Sequence, residues 1–283
     1  MSNLPDKSKT GFTPVPTGDG SLTLLAHDYD EAMHSLSGAF EESLLKHVRP
    51  SGLPGLRKSN LRVLDIGFGL GYNCLATLFE LLPLADGRTV EIVSLEKDLS
   101  AIPFMKSLCF NDSRDELYAS IILAAEYGSI ASERFCITVI RGDARLTIQH
   151  LPEKHFDAVF HDAFSPPKNP EMWSVEFFNE ISRVISPTGI LTTYSSARHI
   201  RRALLESGFR IGRGPSVGKK REGTLASIAG NIPLIPESDS AMLRENRSAA
   251  PYRDFGLCNS RKEILEMKQR VADGLRPDHR ARG

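Results

Sequence analysis

The 283-residue sequence contains no apolar run near the ~20 residues needed to span a bilayer, so no membrane anchor is read in it. Residues 1–20 are polar, contain Pro and Gly, and lack the apolar centre of a secretory signal; they read as a mobile lead. Charge of either sign is not in excess. The 35 Lys and Arg balance 35 Asp and Glu, which removes any global pull toward nucleic acid or membrane. Cysteine is sparse, and Cys74, Cys109, Cys136 and Cys258 form no C-x-x-C pair and no cluster with His. Three of the four lie in apolar surroundings and are expected to be buried thiols, which fits a reducing cytoplasm. The 8 histidines show no ligand spacing, so no metal is expected, and His161 is assigned to structure. What remains is ample: 41% hydrophobic residues suffice for one large α/β domain with a full core.

The most informative stretch is Leu61-Arg62-Val63-Leu64-Asp65-Ile66-Gly67-Phe68-Gly69-Leu70-Gly71-Tyr72-Asn73. An apolar strand carries an acid near its end, then turns through alternate glycines into a helix with free N–H groups at its start. A dinucleotide site would read G-x-G-x-x-G to hold a pyrophosphate. Here the last glycine comes one residue early, Tyr72 takes its place, and Asp65 would repel phosphate. A ligand with a cationic amine and no phosphate suits the pattern. S-adenosylmethionine is such a ligand, and the pattern resembles the first motif of the Rossmann-like methyltransferases.

Strand and helix signals alternate along the chain. Strands are read at Leu61–Ile66, Val90–Leu95, Phe135–Ile140, Phe156–His161 and Ile190–Tyr194. Phe209–Gly212 and Thr224–Ile228 read as a final antiparallel pair. Helices are read weakly at Leu36–Val48 and more clearly at Asn73–Leu82. Further helices fall within 99–127 with a break near Asn111, at Trp173–Ile185 and at Ala197–Glu206. The turn Ser186-Pro187-Thr188-Gly189 closes the helix before it, and Ser260–Val271 forms an amphipathic helix. The expected fold is a class I, Rossmann-like methyltransferase: a mostly parallel seven-stranded sheet, helices on both faces, an antiparallel strand near the C-terminal end. Residues 1–44 are expected to be a lead-in packed on the core, 45–230 the methyltransferase core and 231–283 a C-terminal extension.

Ligands of open α/β sheets bind beyond the carboxyl ends of the strands, where Asp65, Glu96, Asp143 and Asp162 all fall. Glu96 can accept both hydrogen bonds of a ribose diol. Asp143, followed by Ala144, can accept from an adenine amino group. Gly67, Phe68, Gly69, Gly71 and Asn73 can hold the methionine end, with Asp65 near its ammonium. Any one of these acids can equally be a helix cap. Then comes His161-Asp162-Ala163-Phe164-Ser165-Pro166-Pro167-Lys168-Asn169-Pro170-Glu171-Met172-Trp173. The prolines stiffen a loop over the sheet edge. Phe164 could stack on a base there and Asn169 read polar edges, while Trp173 is assigned to packing.

Asp162–Trp173 and Asp65–Asn73 together resemble the methyltransferases of the MnmC type, which make 5-methylaminomethyluridine at the wobble position of certain tRNAs. The resemblance continues through Gly38-Ala39-Phe40-Glu41-Glu42-Ser43, Ser195–Arg202, Gly208-Phe209 and Gly218–Thr224, and so spans about 27–230; Pro251-Tyr252-Arg253-Asp254 looks like the tail of stand-alone members. It implies a cytoplasmic enzyme, with S-adenosylmethionine as cofactor and the tRNA anticodon loop as partner. No flavin is expected, because a second glycine fingerprint and the length for a flavin domain are missing, and no metal or membrane is expected from the histidine spacing and the apolar runs. The reaction is methylation of a primary amine, with Asp162 as the catalytic residue that orients it. Fused relatives often carry Glu at the place of Asp65. Between 198 and 221 Lys and Arg far outnumber acids, so Arg198, Arg201, Lys219, Lys220 and Arg221, with Phe164, Lys168 and Asn169, are the candidate substrate contacts. Arg276–Arg282 reads as a disordered tail. Two rivals share the fold: an aminopropyltransferase acting on a small amine, opposed by the basic loop and segment, and a catalytically silent RNA-binding module.

Overall fold

A computed structural model describes residues 11–16, 22–33, 38–84, 87–216 and 222–274. Residues 1–10, 17–21 and the tail Arg276–Arg282 lie outside the described residues. The expected unstructured lead gives way to a small antiparallel sheet of β1 (Phe12–Pro16), β2 (Leu22–Ala26) and β3 (Glu31–Ala32). Phe12 pairs with Ala26 and is buried, and Pro14 and Pro16 are tolerated because β1 is an edge strand. Helix α1 (Ala39–Ser43) runs into a π turn, Leu44–Val48, closed by the Arg49 N–H donating to Leu44 O at 3.0 Å. The wider turn shifts the register, so Lys46, His47 and Val48 are buried in succession.

The main sheet holds β4 (Asn60–Ile66), β5 (Thr89–Glu96), β6 (Ser129–Ala131), β7 (Phe135–Arg141), β8 (Phe156–His161), β9 (Ile185–Thr193), β10 (Arg210–Arg213) and β11 (Thr224–Ser227). Their spatial order is β10-β11-β9-β8-β4-β5-β7-β6. The inner strands β9 to β7 run parallel, while β6, β11 and β10 are antiparallel to their neighbours. The sheet has 8 strands rather than the expected seven, because β6 pairs with β7, Ile130 opposite Ile137.

The helices are α2 (Tyr72–Leu81), α3 (Ile102–Met105), α4 (Arg114–Tyr127), α5 (Ala144–Thr147), α6 (Val175–Val184), α7 (Arg198–Glu206), α8 (Glu237–Glu245) and α9 (Arg261–Ala272). A parallel strand with both faces covered reads as a near-continuous apolar run. Along β4, Leu61 and Val63 enter one core with α2 and α4, while Leu64 and Ile66 enter the other with α6 and α7. Helix α6 buries Phe177, Phe178, Ile181 and Val184, and Ser174 caps it by accepting from the Phe177 N–H at 3.1 Å.

Two expectations need correction. The Ser186–Gly189 turn does not separate helix from strand. Helix α6 ends at Val184 and β9 starts at once, with Ile185 opposite Phe156 and Ile190 opposite Ala158, so the intervening residues bulge outward and expose Pro187 and Thr188. Of the cysteines only Cys74 is buried; Cys109 and Cys258 are exposed in irregular segments, and Cys136 is half-buried beside the short strand β6. No helix among the described residues is long and apolar enough to cross a membrane.

Candidate functional site

Strand β4 lies between β8 and β5, and the loops leaving these strands part at its carboxyl end. A cavity of about 490 Å³ opens there, a size suited to a small organic ligand. Its lining is acidic: Asp28, Glu31, Glu42, Glu96, Asp98, Asp143, Asp162 and Glu171 face it, against Lys97, Arg141 and Arg145. Such a surface suits a cation and a ribose diol, and opposes phosphate.

Of the glycine turn, Gly67 and Gly69 line the cavity, whereas Asp65, Phe68, Gly71 and Asn73 do not. Gly67 has φ +94°, and a Cβ there would sit 2.8 Å from Asp162 O, so the close approach of the residue after β8 requires a glycine here. Gly71, at φ +75°, starts α2, where a Cβ would meet Ile121 at 2.7 Å. Phe68 turns into the core. Asp65 is fully buried. Its Oδ1 accepts from Asn73 Nδ2 at 3.0 Å and its Oδ2 from Ser94 Oγ at 3.0 Å. Burial pushes its carboxyl up to about 7. The expected place beside an ammonium is therefore corrected to one beneath the turn, because the alternation of β4 aims this side chain inward.

Glu96 ties β5 to the turn: its Oε2 accepts from the Gly69 N–H at 3.0 Å and its Oε1 from the Asp98 N–H at 2.9 Å. Burial raises its carboxyl. Asp143 lines the cavity as the cap of α5, accepting from the Arg145 N–H at 3.0 Å and pairing with Arg145 Nη2 at 2.7 Å. Burial raises its carboxyl, but the Arg145 hydrogen bonds outweigh this and hold it low. Ala144 lines the wall beside it.

Asp162 follows β8, half-buried and facing the cavity. Asn73 Nδ2 donates to its Oδ2 at 3.1 Å while donating to Asp65, and His47 Nε2 lies 3.5 Å from its Oδ1. His161, just before it, is fully buried; Nε2–H donates to Met172 O at 2.7 Å, and burial pulls the ring down to about 4, in line with a structural role.

The Pro-rich loop is covered by the N-terminal sheet. Phe164 stacks on Tyr29 with centroids 4.1 Å apart and planes at 16°. Ser165 donates its N–H and Oγ–H to Glu31 Oε2 at 3.0 and 2.7 Å. Lys168 pairs with Asp30 at 3.3 Å, and Trp173, buried, donates Nε1–H to Phe164 O at 2.8 Å. Phe164 and Asn169 line the cavity; Lys168 does not. Phe164 thus already has an aromatic partner and Lys168 an acid, both supplied by the turn between β2 and β3.

Among the described residues of the basic segment, Arg201, Arg202 and Arg210 are bonded within the protein. Arg201 bonds Thr224 Oγ1, Glu222 Oε1 and Gly223 O, Arg202 pairs with Glu206, and Arg210 donates to Ile228 O and Gly230 O. Arg201 is therefore corrected to a structural anchor, while Arg198 is exposed on α7. Lys219, Lys220 and Arg221 lie outside the described residues. Among the described residues the argument from basicity against a small amine weakens: Lys168 and Arg201 are each paired with an acid, and the cavity lining is acidic. Residues missed by sequence reasoning are Tyr29, Glu31, His47 and Tyr194, the last donating Oη–H to Ala163 O at 2.9 Å. No local signal marks them, since each acts through a residue far away in sequence.

Residues 111–229 match a family of S-adenosyl-L-methionine-dependent methyltransferases. An uncharacterised protein of Methanocaldococcus jannaschii, MJ0670, is 35% identical over 93% of this chain and 73% of its own. The tRNA 5-methylaminomethyl-2-thiouridine biosynthesis bifunctional protein MnmC of Pseudomonas aeruginosa is 35% identical over 56% of this chain, which spans only 25% of that relative. The crystal structure of MnmC2 from Aquifex aeolicus superposes with a TM-score of 0.83, at 34% identity, covering 95% of this chain and 88% of that one. With that identity carried across nearly the whole of both chains, on one fold, this protein belongs to the MnmC-type methyltransferases and uses S-adenosyl-L-methionine.

Proposed function

We propose that this protein N-methylates the 5-aminomethyl group of wobble uridine in the anticodon loop of tRNA, giving 5-methylaminomethyluridine, with or without a 2-thio group. The observation that carries this reading is the placement of Asp162: a braced carboxylate facing an acid-lined cavity beside the Asp162–Trp173 loop. The similarity to the Pseudomonas protein of 5-methylaminomethyl-2-thiouridine biosynthesis supports the nucleoside. Glu96, Asp143 and Ala144 would hold the adenosine end of the cofactor, and Gly67 and Gly69 the methionine end. When bound, S-adenosylmethionine supplies an electrophilic methyl on a sulfonium.

The rest falls to the protein. An alkylamine has a pKa near that of lysine, about 10.4, so most of it arrives as the ammonium. The carboxylates lining the cavity attract that cation. The ammonium gives up a proton to water before reacting. Asp162 then orients the neutral nitrogen by accepting an N–H, and stabilises the secondary ammonium left when the nitrogen takes the methyl and the methyl–sulfur bond breaks to leave a neutral thioether. Holding nitrogen and methyl in line supplies much of the rate. A wobble base sits in a loop, where splaying it out costs less than in a duplex.

The test is nucleoside mass spectrometry after incubation with S-adenosylmethionine and tRNA bearing 5-aminomethyluridine. One added methyl on that nucleoside is expected, lost in Asp162→Ala with cofactor binding retained. No added methyl, with cofactor bound, overturns the reading. The acidic lining also favours a second one, transfer to a small polyamine, and the same assay with diamines in place of tRNA separates the two.

A further inference from the structure

We propose that His47 is the positioning residue for Asp162. The inference rests on the amine-methylation reading above, in which Asp162 holds the nucleophile. His47 sits in the π turn after α1, and its side chain is only 1% exposed, against 20% for Asp162. It does not line the cavity. The imidazole therefore stands behind the carboxylate, on the side away from the substrate.

Both ring nitrogens face polar partners. Nδ1 is 2.9 Å from Thr192 Oγ1 on β9, and Nε2 is 3.5 Å from Asp162 Oδ1. One tautomer satisfies both: the Thr192 hydroxyl donates to Nδ1, which leaves the hydrogen on Nε2 directed at the carboxylate. The 3.5 Å separation is longer than a hydrogen bond, and such contacts shorten when substrate closes a site. Phe160 packs against the ring at 5.6 Å between centroids and restricts its tilt.

The other carboxylate oxygen is held independently. Asn73 spends its Nδ2 protons on Asp65 and Asp162, while its buried Oδ1 has no hydrogen-bond partner. Turning the amide over would place that oxygen between two carboxylates, so its orientation is fixed. Asp162 is thereby gripped through Oδ2 by α2 and faced at Oδ1 by the π turn, at the lining of the cavity. A buried imidazole is costly where packing alone is needed, since Leu or Phe fills the same space without polar atoms. The chain keeps a histidine where a donor to Asp162 is required.

The test compares His47→Leu and His47→Gln with the parent, on tRNA bearing 5-aminomethyluridine. His47→Leu should lower kcat by about 100-fold, the scale of a misplaced reacting group, and leave KM and cofactor affinity unchanged. His47→Gln, which returns an N–H donor toward Asp162, should recover most of kcat. His47→Leu combined with Asp162→Asn should be no slower than Asp162→Asn alone. A readout free of turnover is the ¹⁵N resonance of His47 Nε2, which should shift in Asp162→Asn. His47→Leu that turns over at the parental kcat overturns the inference. So does equal loss in the Leu and Gln variants, or an Nε2 resonance indifferent to Asp162→Asn. If His47→Leu fails to fold, the Gln variant and the resonance still decide. A parent that methylates no such tRNA overturns the amine-methylation reading instead.

Discussion

Asp65 and His161 lie on neighbouring strands, β4 and β8, on opposite faces of the sheet, and their titrations oppose one another. Burial lifts Asp65 to about 7, whereas an unfolded Asp loses its proton near 3.9. Its contribution to stability therefore falls as pH rises from about 4 to about 7. Burial lowers His161 to about 4, whereas an unfolded His takes up a proton near 6.5. Its contribution is lost as pH falls from about 6.5 to about 4, and His199, also held near 4 by burial, acts the same way. In the parent the Asp65 slope offsets about one of the two histidine slopes. Asp65→Asn should expose the histidine slope, with stability rising by roughly 2–3 kcal/mol between about pH 4.5 and 6.5 relative to the parent. Urea melts across that range check it, and parallel profiles for variant and parent would sink it. The strand-end acids were legible because each interrupts an apolar run at a defined place. Their partners were not: His47 and Thr192 are 145 positions apart, and no pattern along the chain joins them.

At the scale of elements, the N-terminal sheet was the least legible part. Strands β4, β5, β7 and β8 announce themselves because burial on both faces leaves an apolar run, and their ends were read to within about a residue. Strands β1 to β3 are only 5, 5 and 2 residues long, and β1 carries two prolines, so they give no comparable signal. The π turn has no sequence signature. Yet the small sheet forms one wall of the cavity through Phe12, Ala26, Tyr29 and Glu31. It docks through the Tyr29–Phe164 stack and the two hydrogen bonds from Ser165 to Glu31, with the Arg261 guanidinium 5.0 Å from the centre of the Tyr29 ring. An aromatic pair contributes about 0.5–1.5 kcal/mol beyond its buried area. Tyr29→Ala should therefore weaken cofactor binding by up to about tenfold and also lower the unfolding midpoint, because Tyr29 packs against the core that Phe12, Leu24 and Ala26 share with α2 and α4. Calorimetric titration with S-adenosylmethionine, alongside thermal unfolding, checks both halves. Unchanged affinity would show that the sheet covers the cavity without shaping it.

Across the whole molecule, segments from both ends of the chain converge on the site. The N-terminal sheet covers the Pro-rich loop, and the C-terminal extension braces the opposite wall. Pro251-Tyr252-Arg253-Asp254 was legible as a motif but not as a device. Arg253 pairs with Glu176 at the start of α6, at 2.7 Å, and the Tyr252 carbonyl accepts from the Val175 N–H at 3.1 Å. These contacts deliver Asp254, fully buried, to Arg145, whose Nη1 donates to Asp254 Oδ2 at 2.9 Å. Arg145 in turn holds Asp143, so a residue in the extension sets the orientation of a cavity-lining carboxylate more than 100 positions upstream. Asn259 completes the grip on Asp254, donating its N–H and Nδ2–H to Oδ1, each at 2.9 Å. Asp254→Asn keeps an acceptor for Asn259 but withdraws the charge from Arg145. It should cost about 1–3 kcal/mol of stability, the scale of an unmatched buried polar group, and weaken cofactor binding several-fold through Asp143. Arg253→Ala is the contrast. It removes a partly exposed pair worth under about 1 kcal/mol and should leave cofactor affinity alone. If Asp254→Asn lowers stability yet binds cofactor as tightly as the parent, the extension is a clamp on the fold and has no part in shaping the cavity.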